Sequence, residues 1–282
     1  MKVFKIILKS LAVLIVITLT AVFLYVRSLF QEETAVEVGS LSETFGSKRI
    51  LGVFAHPDDE QLVNTVFVNA KTKNESTFTA LVTATKGEVG EQVPVVARQK
   101  DLGFIRKAEA LKNGFAMGID EQEVWDYPDS GVPDVSIQEI KTKVKQSMLA
   151  YKPDMLLTFW PASGATGHKD HMRMGLVATE VSKELKSAPI ENYSGPKYIV
   201  YVITPKKAFL TLGGEVGKFV AENQPNPTHA LASDTRSKMK GWEIHASQGD
   251  YVRKAYGIPA WLLYLLWDKE YYYVVGMDEK TK

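Results

Sequence analysis

The sequence predicts an α/β fold, a Rossmann-like, mostly parallel sheet flanked by helices and preceded by one N-terminal transmembrane helix. Apolar runs of strand length alternate with longer stretches of helical patterning, and an uncharged apolar run stands near the amino terminus. Residues 50–55 (ILGVFA), 78–84 (FTALVTA) and 155–159 (MLLTF) are continuous apolar runs, as strands covered on both faces require, and each leads into a polar loop. Residues 61–71, 95–117 and 136–151 carry spaced apolar positions among Lys, Glu and Gln and read as amphipathic helices. Such alternation implies a parallel sheet with helices on its faces, in which ligands bind beyond the carboxyl ends of the strands. A terminal strand is expected at 270–275 (EYYYVV), after the apolar and aromatic segment 258–267 (IPAWLLYLLW). That segment reads as a packed closing piece in preference to a surface dipping into a membrane interface.

Residues 10–26 carry no charge and lie between Lys9 and Arg27. The run reaches the short end of membrane-helix length and exceeds the ~7–15 residues of a signal-peptide core. Lys2, Lys5 and Lys9 precede it and only Arg27 follows closely, so the positive-inside rule sets the amino terminus in the cytoplasm and the folded part outside. A cleaved export signal is the alternative, and it leaves the domain on the same side. The expected division is a cytoplasmic N-terminus at 1–9, a transmembrane anchor at 10–27, a polar linker at 28–47 and one folded domain at 48–282. The protein is thus expected to be single-pass and extracytoplasmic, with no signal for an oligomeric state.

With 45% hydrophobic and 24% charged residues, the chain can build a sizeable core without disulfides. A net charge of +1 provides no field that would gather nucleic acid, and no basic stretch is interleaved with stacking aromatics. Nucleic acid is therefore not an expected partner. The absence of cysteine excludes thiolate nucleophiles and Cys-based zinc sites, leaving His, Asp and Glu as strong metal ligands.

Two motifs concentrate these ligands. Ala55-His56-Pro57-Asp58-Asp59-Glu60 stands where the first strand ends and a helix should begin. The three acids could simply cap that helix, whose positive end favours carboxylates. Capping does not explain an imidazole directly after an apolar strand, and Pro57 stiffens the link between His56 and Asp59. Gly167-His168-Lys169-Asp170-His171 follows the 155–159 strand and holds two of the five histidines. Three residues apart on a helix, His168 and His171 can point into one cleft. Two strand-end loops that each present His and Asp suit a zinc site better than isolated structural histidines.

With these motifs the chain resembles the PIG-L/LmbE-like family of zinc-dependent N-deacetylases. The family pattern of AHPDDE, T-x-G-E-x-G and H-x-D-H corresponds to residues 55–60, 85–90 (TKGEVG) and 168–171 (HKDH), in that order. Further similarity lies in Arg106 and Glu109, in Tyr127-Pro128-Asp129 and in His245-Ala246-Ser247-Gln248. The resemblance implies that His56, Asp59 and His171 ligate Zn2+, or another divalent metal, with Asp58 as the catalytic base. It makes His168 the second catalytic group, oriented by Asp170. Lys86, Glu88 and His245 are then candidate substrate-binding residues, although Glu88 could equally cap a loop and His245 could equally pack in the interior. Relatives often carry Arg where this chain has Lys86, which puts bidentate contact in doubt. Some carry a tyrosine where this chain has Thr166. The implied function is removal of an N-acetyl group from an N-acetylated sugar in a glycolipid, cell-envelope glycan or conjugate. The alternatives are a zinc amidase on a sugar-linked conjugate and a non-catalytic, membrane-anchored glycan-binding protein.

Overall fold

The apolar runs form the centre of an eight-stranded sheet. In chain order its strands are β1 (Val36–Glu37), β2 (Arg49–Phe54), β3 (Phe78–Thr85), β4 (Glu121–Tyr127), β5 (Met155–Phe159), β6 (Tyr198–Ile203), β7 (His229–Ala232) and β8 (Lys269–Gly276). This computed structural model describes residues 2–278; Met1 and residues 279–282, the outer ends of the expected N-terminal segment and folded domain, lie outside the described residues. The spatial order is β1-β7-β8-β6-β5-β2-β3-β4. Strands β4, β3, β2, β5 and β6 run parallel, and β8 inserts antiparallel between β6 and β7. The sheet is therefore mixed but mostly parallel.

β2 and β5 are adjacent, and the chain leaves them towards opposite sides of the sheet, to β3 and β6. Their carboxyl ends thus border the crevice where a parallel sheet reverses direction. Helices Asn64–Lys73, Leu102–Met117, Ile137–Tyr151 and Lys169–Ser187 flank the sheet. Helix Lys169–Ser187 approaches β5 closely because position 175 is glycine: a Cβ there would sit 2.3 Å from the Phe159 carbonyl oxygen. The main core unites both sheet faces, with Phe54, Phe67, Leu81, Leu157 and Tyr272 fully buried.

The expected strands at 50–55, 78–84, 155–159 and 270–275 all form, within a residue or two at their ends. The helix expected at 95–117 starts only at Leu102, after one short 3-10 turn at Gln99–Asp101. The Gln92 side-chain oxygen accepts the backbone N–H groups of Val96 and Ala97, and this local bonding competes with a helical ladder. The helix expected at 61–71 is likewise shifted, a 3-10 turn at Asp59–Leu62 preceding helix Asn64–Lys73.

Residues 28–47 are not a free linker. They supply edge strand β1, paired to β7, and the short helix Leu41–Thr44, whose Leu41 is buried in the core. Before them, helix Lys2–Leu29 is long and apolar, exposed over residues 3–22 and packed against the domain only from Phe23 onward. The 258–267 segment is largely the short helix Ala260–Leu266, which buries Leu263 and Leu266 beside Leu29 and Phe30.

Candidate metal centre and active site

The chain after β2 folds into a tight turn. Asp59 Oδ2 accepts the backbone N–H groups of Ala55 (3.1 Å) and His56 (2.7 Å), holding its carboxylate over the strand end. Between them Asp58 adopts φ 92°, a left-handed conformation costly for any residue with a Cβ, and its N–H donates to Glu60 Oε2. The surrounding bonds hold Asp58 in that strained position, its carboxylate turned into the crevice.

From β5, His171 enters on the first turn of helix Lys169–Ser187, with its ring stacked on Phe159 at 4.0 Å. Its Nδ1 lies 3.0 Å from the Gly164 carbonyl and 2.9 Å from Thr166 Oγ1. A carbonyl only accepts, so Nδ1 carries the proton and Nε2 presents a lone pair. The opposite tautomer is set for His56, whose Nε2 lies 3.1 Å from Asp170 Oδ2 and 3.2 Å from Asp129 Oδ1, leaving Nδ1 with the lone pair. The Ser130 N–H donates to the same Asp170 oxygen, and Asp129 is held by its own N–H to Glu88 and by Val89 N–H to its carboxylate.

The two lone pairs and Asp59 converge. His56 Nδ1 and His171 Nε2 are 3.0 Å apart, His171 Nε2 and Asp59 Oδ1 3.1 Å, and His56 Nδ1 and Asp59 Oδ2 3.6 Å. Tetrahedral zinc with ligands at about 2.0–2.1 Å separates its ligand atoms by about 3.3 Å, so this donor set fits the ion. His168 brings a third ring to the cluster, within 4.8 Å of His56 and His171. A grouping of His56 with Asp129 and Asp170 also exists, but it lies on the far nitrogen of His56 and orients that ring.

The cluster's charges shift one another. Burial opposes protonation of His56, but hydrogen bonds to Asp129, Asp170 and Asp59 outweigh it and hold its pKa well above the ordinary value. Burial opposes ionisation of Asp59, and the His171 charge overcomes it and holds the carboxyl well down. Burial pushes Asp58 up to about 6 against the pull of Arg106. Burial, with the charges of His56 and His171, lowers His168.

Arg106 explains the TKGEVG motif. Its guanidinium donates to Asp58 Oδ2 (2.9 Å), the Pro57 carbonyl (2.6 Å) and the Gly87 carbonyl (3.0 Å). Gly87 takes φ 64°, and a Cβ there would lie 2.1 Å from Arg106 Nη1; glycine makes the room. The signal for Arg106 was its place in the family pattern, which gave it no role.

A cavity of about 480 Å³ opens over these residues, within the size range of small-molecule sites. His56, Asp58, Asp59, His168 and His171 line it together with the aromatic side chains of Trp242, Tyr251, Tyr256, Tyr264 and Trp267. The residues expected to bind substrate lie elsewhere. Lys86 pairs with Asp126 in a separate recess. Glu88 faces Asp129 and holds its backbone. His245 is fully buried beneath the first motif, where it pairs with Glu60, itself bonded by Asn113. Burial would lower the His245 pKa, but Glu60 raises it. Asp170 does not orient His168 through its carboxylate, which is turned to His56; the Asp170 N–H instead donates to His168 Nδ1 at 3.2 Å, with His168 capping the helix.

An α/β domain with a His and carboxylate cluster fit for a divalent metal at its sheet crevice is thus defined. Residues 51–182 match the family described as PIG-L, GlcNAc-PI de-N-acetylase. It is 29% identical over 181 residues to 1D-myo-inositol 2-acetamido-2-deoxy-alpha-D-glucopyranoside deacetylase of Saccharomonospora viridis, covering 56% of this chain and 64% of that one. To the protein of the same description from Corynebacterium urealyticum it is 28% identical over 245 residues, covering 71% of each. The match therefore spans just under two thirds of the first relative's length. The fold is similar to that of N,N'-diacetylchitobiose deacetylase from Pyrococcus horikoshii, with TM-score 0.64 and 17% identity over 84% of this chain and 86% of that one.

Proposed function

We propose that the protein is a zinc-dependent hydrolase that removes the N-acetyl group from an N-acetylated amino sugar borne by a glycolipid, a cell-envelope glycan or a sugar conjugate. The observation that carries this is the convergence of His56 Nδ1, His171 Nε2 and Asp59 at tetrahedral spacing beside the carboxylate of Asp58. The names of the relatives, which are deacetylases of acetamido sugars, support the substrate class.

Zinc held by His56, Asp59 and His171 would supply Lewis acidity, which brings the pKa of water towards ~7 and polarises an amide carbonyl. Asp58 accepts the proton of a water molecule as its oxygen attacks the acetyl carbon, and Arg106 keeps that carboxylate aimed. Since His168 Nδ1 already accepts the Asp170 N–H, its Nε2 carries the ring proton and donates to the oxygen on which negative charge develops. The carbon–nitrogen bond then breaks, the proton taken by Asp58 passes to the departing nitrogen, and acetate and a free amine leave. Helix Lys2–Leu29 serves as a single-pass anchor with the catalytic domain outside, supported by its exposed apolar length and the lysines that precede its uncharged run 10–26.

Incubating the full-length protein with a panel of N-acetylated sugars and glycolipids, with and without chelator, tests substrate and metal together. Release of acetate that chelator stops and zinc restores is expected. Loss of the sugar-linked acyl group with no acetate formed would exclude this reaction.

A further inference from the structure

We propose that helix Ala260–Leu266 is a second membrane contact, its Trp261 and Leu265 face lying in the interface of the bilayer that the N-terminal helix enters. The proposal rests on the membrane reading of helix Lys2–Leu29 and adds a surface which that reading does not require.

The depth follows from the N-terminal helix. The uncharged run 10–26 spans about 26 Å at 1.5 Å per residue, close to one hydrocarbon core, with Arg27 at its outer edge. Contact with the domain straddles that edge, through Phe23 and Val26 in the last turn of the run and Leu29 and Phe30 after it. Whatever packs on these residues lies within roughly 10 Å of the hydrocarbon edge, which is headgroup depth. Helix Ala260–Leu266 packs there: Leu263 and Leu266 share a cluster with Leu29, Trp267 stacks on Phe30 at 5.9 Å, and Arg27 pairs with Asp268.

The opposite face of this short helix is open to solvent among the described residues. Trp261 is 58% exposed and Leu265 49%, and four residues apart they form one stripe. A large aromatic and a leucine held at that depth are what an interfacial helix presents to lipid. Helix Lys206–Leu212 packs on the same cluster through Ala208 and also leaves Leu210 and Leu212 exposed, extending the apolar rim. The inner face of helix Ala260–Leu266 contributes Leu263 and Tyr264 to the catalytic cavity, so that lipid backs one cavity wall.

The chain has no cysteine, so each introduced one is a unique labelling site. Full-length Trp261→Cys, Leu265→Cys, Ile15→Cys and Phe115→Cys proteins carry an environment-sensitive fluorophore in phosphatidylethanolamine–phosphatidylglycerol vesicles. Positions 261 and 265 are expected to emit at shorter wavelength and to be quenched by shallow lipid-borne nitroxides but not by iodide. Position 115, 86% exposed on helix Leu102–Met117, should respond only to iodide. If 15 reads lipid while 261 and 265 behave like 115, the second contact is refuted and the anchor stands. Shielding of 261 and 265 from both quenchers would show protein cover and also refute it. Iodide quenching at 15 would overturn the anchor, and the second contact with it.

Discussion

His56 Nδ1 and His171 Nε2 face each other at 3.0 Å while the far nitrogen of each ring is already hydrogen-bonded. With the far nitrogens so engaged, a divalent cation that displaces the proton shared between the near pair would be ligated by both rings. Metal binding should therefore stabilise the fold. A ligand at about 100 times its Kd adds about 2.7 kcal/mol, so zinc added back to chelated protein is expected to raise the unfolding midpoint measurably. His171→Ala should abolish both the increment and the bound zinc, read by thermal unfolding and elemental analysis.

Asp58 ligates nothing in this scheme, so Asp58→Ala should retain zinc at wild-type stoichiometry. Loss of a general base costs about 10²- to 10⁴-fold in turnover. A variant with full activity would remove Asp58 from the mechanism.

The carboxylate of Asp170 bonds His56, not His168. Asp170→Asn should accordingly weaken metal binding by about 10- to 100-fold, the usual effect of losing a partner that orients a ligand. Competition against a zinc-sensitive dye measures this directly, and unchanged affinity would mean that Asp129 alone suffices to orient His56.

His245 is expected to matter for folding, not for recognition. Removing one member of a buried ion pair leaves the other charge uncompensated, so His245→Ala should cost about 3–5 kcal/mol in denaturant unfolding, through the buried Glu60 left without its partner. Activity per folded molecule should keep the wild-type KM.

Asp120 clips the β3–β4 edge by accepting the Thr79 N–H at 2.8 Å and the Lys71 ammonium. Burial would raise its pKa, but Lys71 and Thr79 together lower it. The stability it contributes is present above its unfolded value of about 3.9 and disappears as pH falls through the lower folded one. Asp120→Asn should therefore be less stable than wild type by about 1 kcal/mol at pH 7, and the two unfolding curves should converge in acid.

Of the four strands that were legible, β2, β3 and β5 are buried on both faces, where burial demands an unbroken apolar run, and β8 showed through its aromatic and β-branched EYYYVV. β4 escaped notice because its edge position permits EQEVWDY, with Trp125 and Tyr127 alone deeply buried. The apolar YIVYVI of β6 was equally readable in character but carried no motif to draw attention to it. Within the site, His56, Asp58, Asp59, His168 and His171 were legible because strand ends and short spacings bring them together. The directions of Lys86, Glu88 and His245 were not legible, because a motif fixes neighbourhood without fixing where each side chain points. His245 lies buried beneath the first motif, and Lys86 and Glu88 line a separate recess, Glu88 bonded to the Asp129 backbone.

β1 and helix Leu41–Thr44 have a mechanical consequence. A flexible stretch of the length expected at 28–47 would let the domain roam about 25 Å from its anchor. With that stretch bolted along the edge of β7 and under the core, no such leash exists. On the membrane reading the catalytic crevice keeps a set height and tilt above the lipid, and the enzyme surveys its substrates by drifting in two dimensions. Lengthening the chain at Gln31 would then change which head groups come within reach while leaving the chemistry of the crevice untouched.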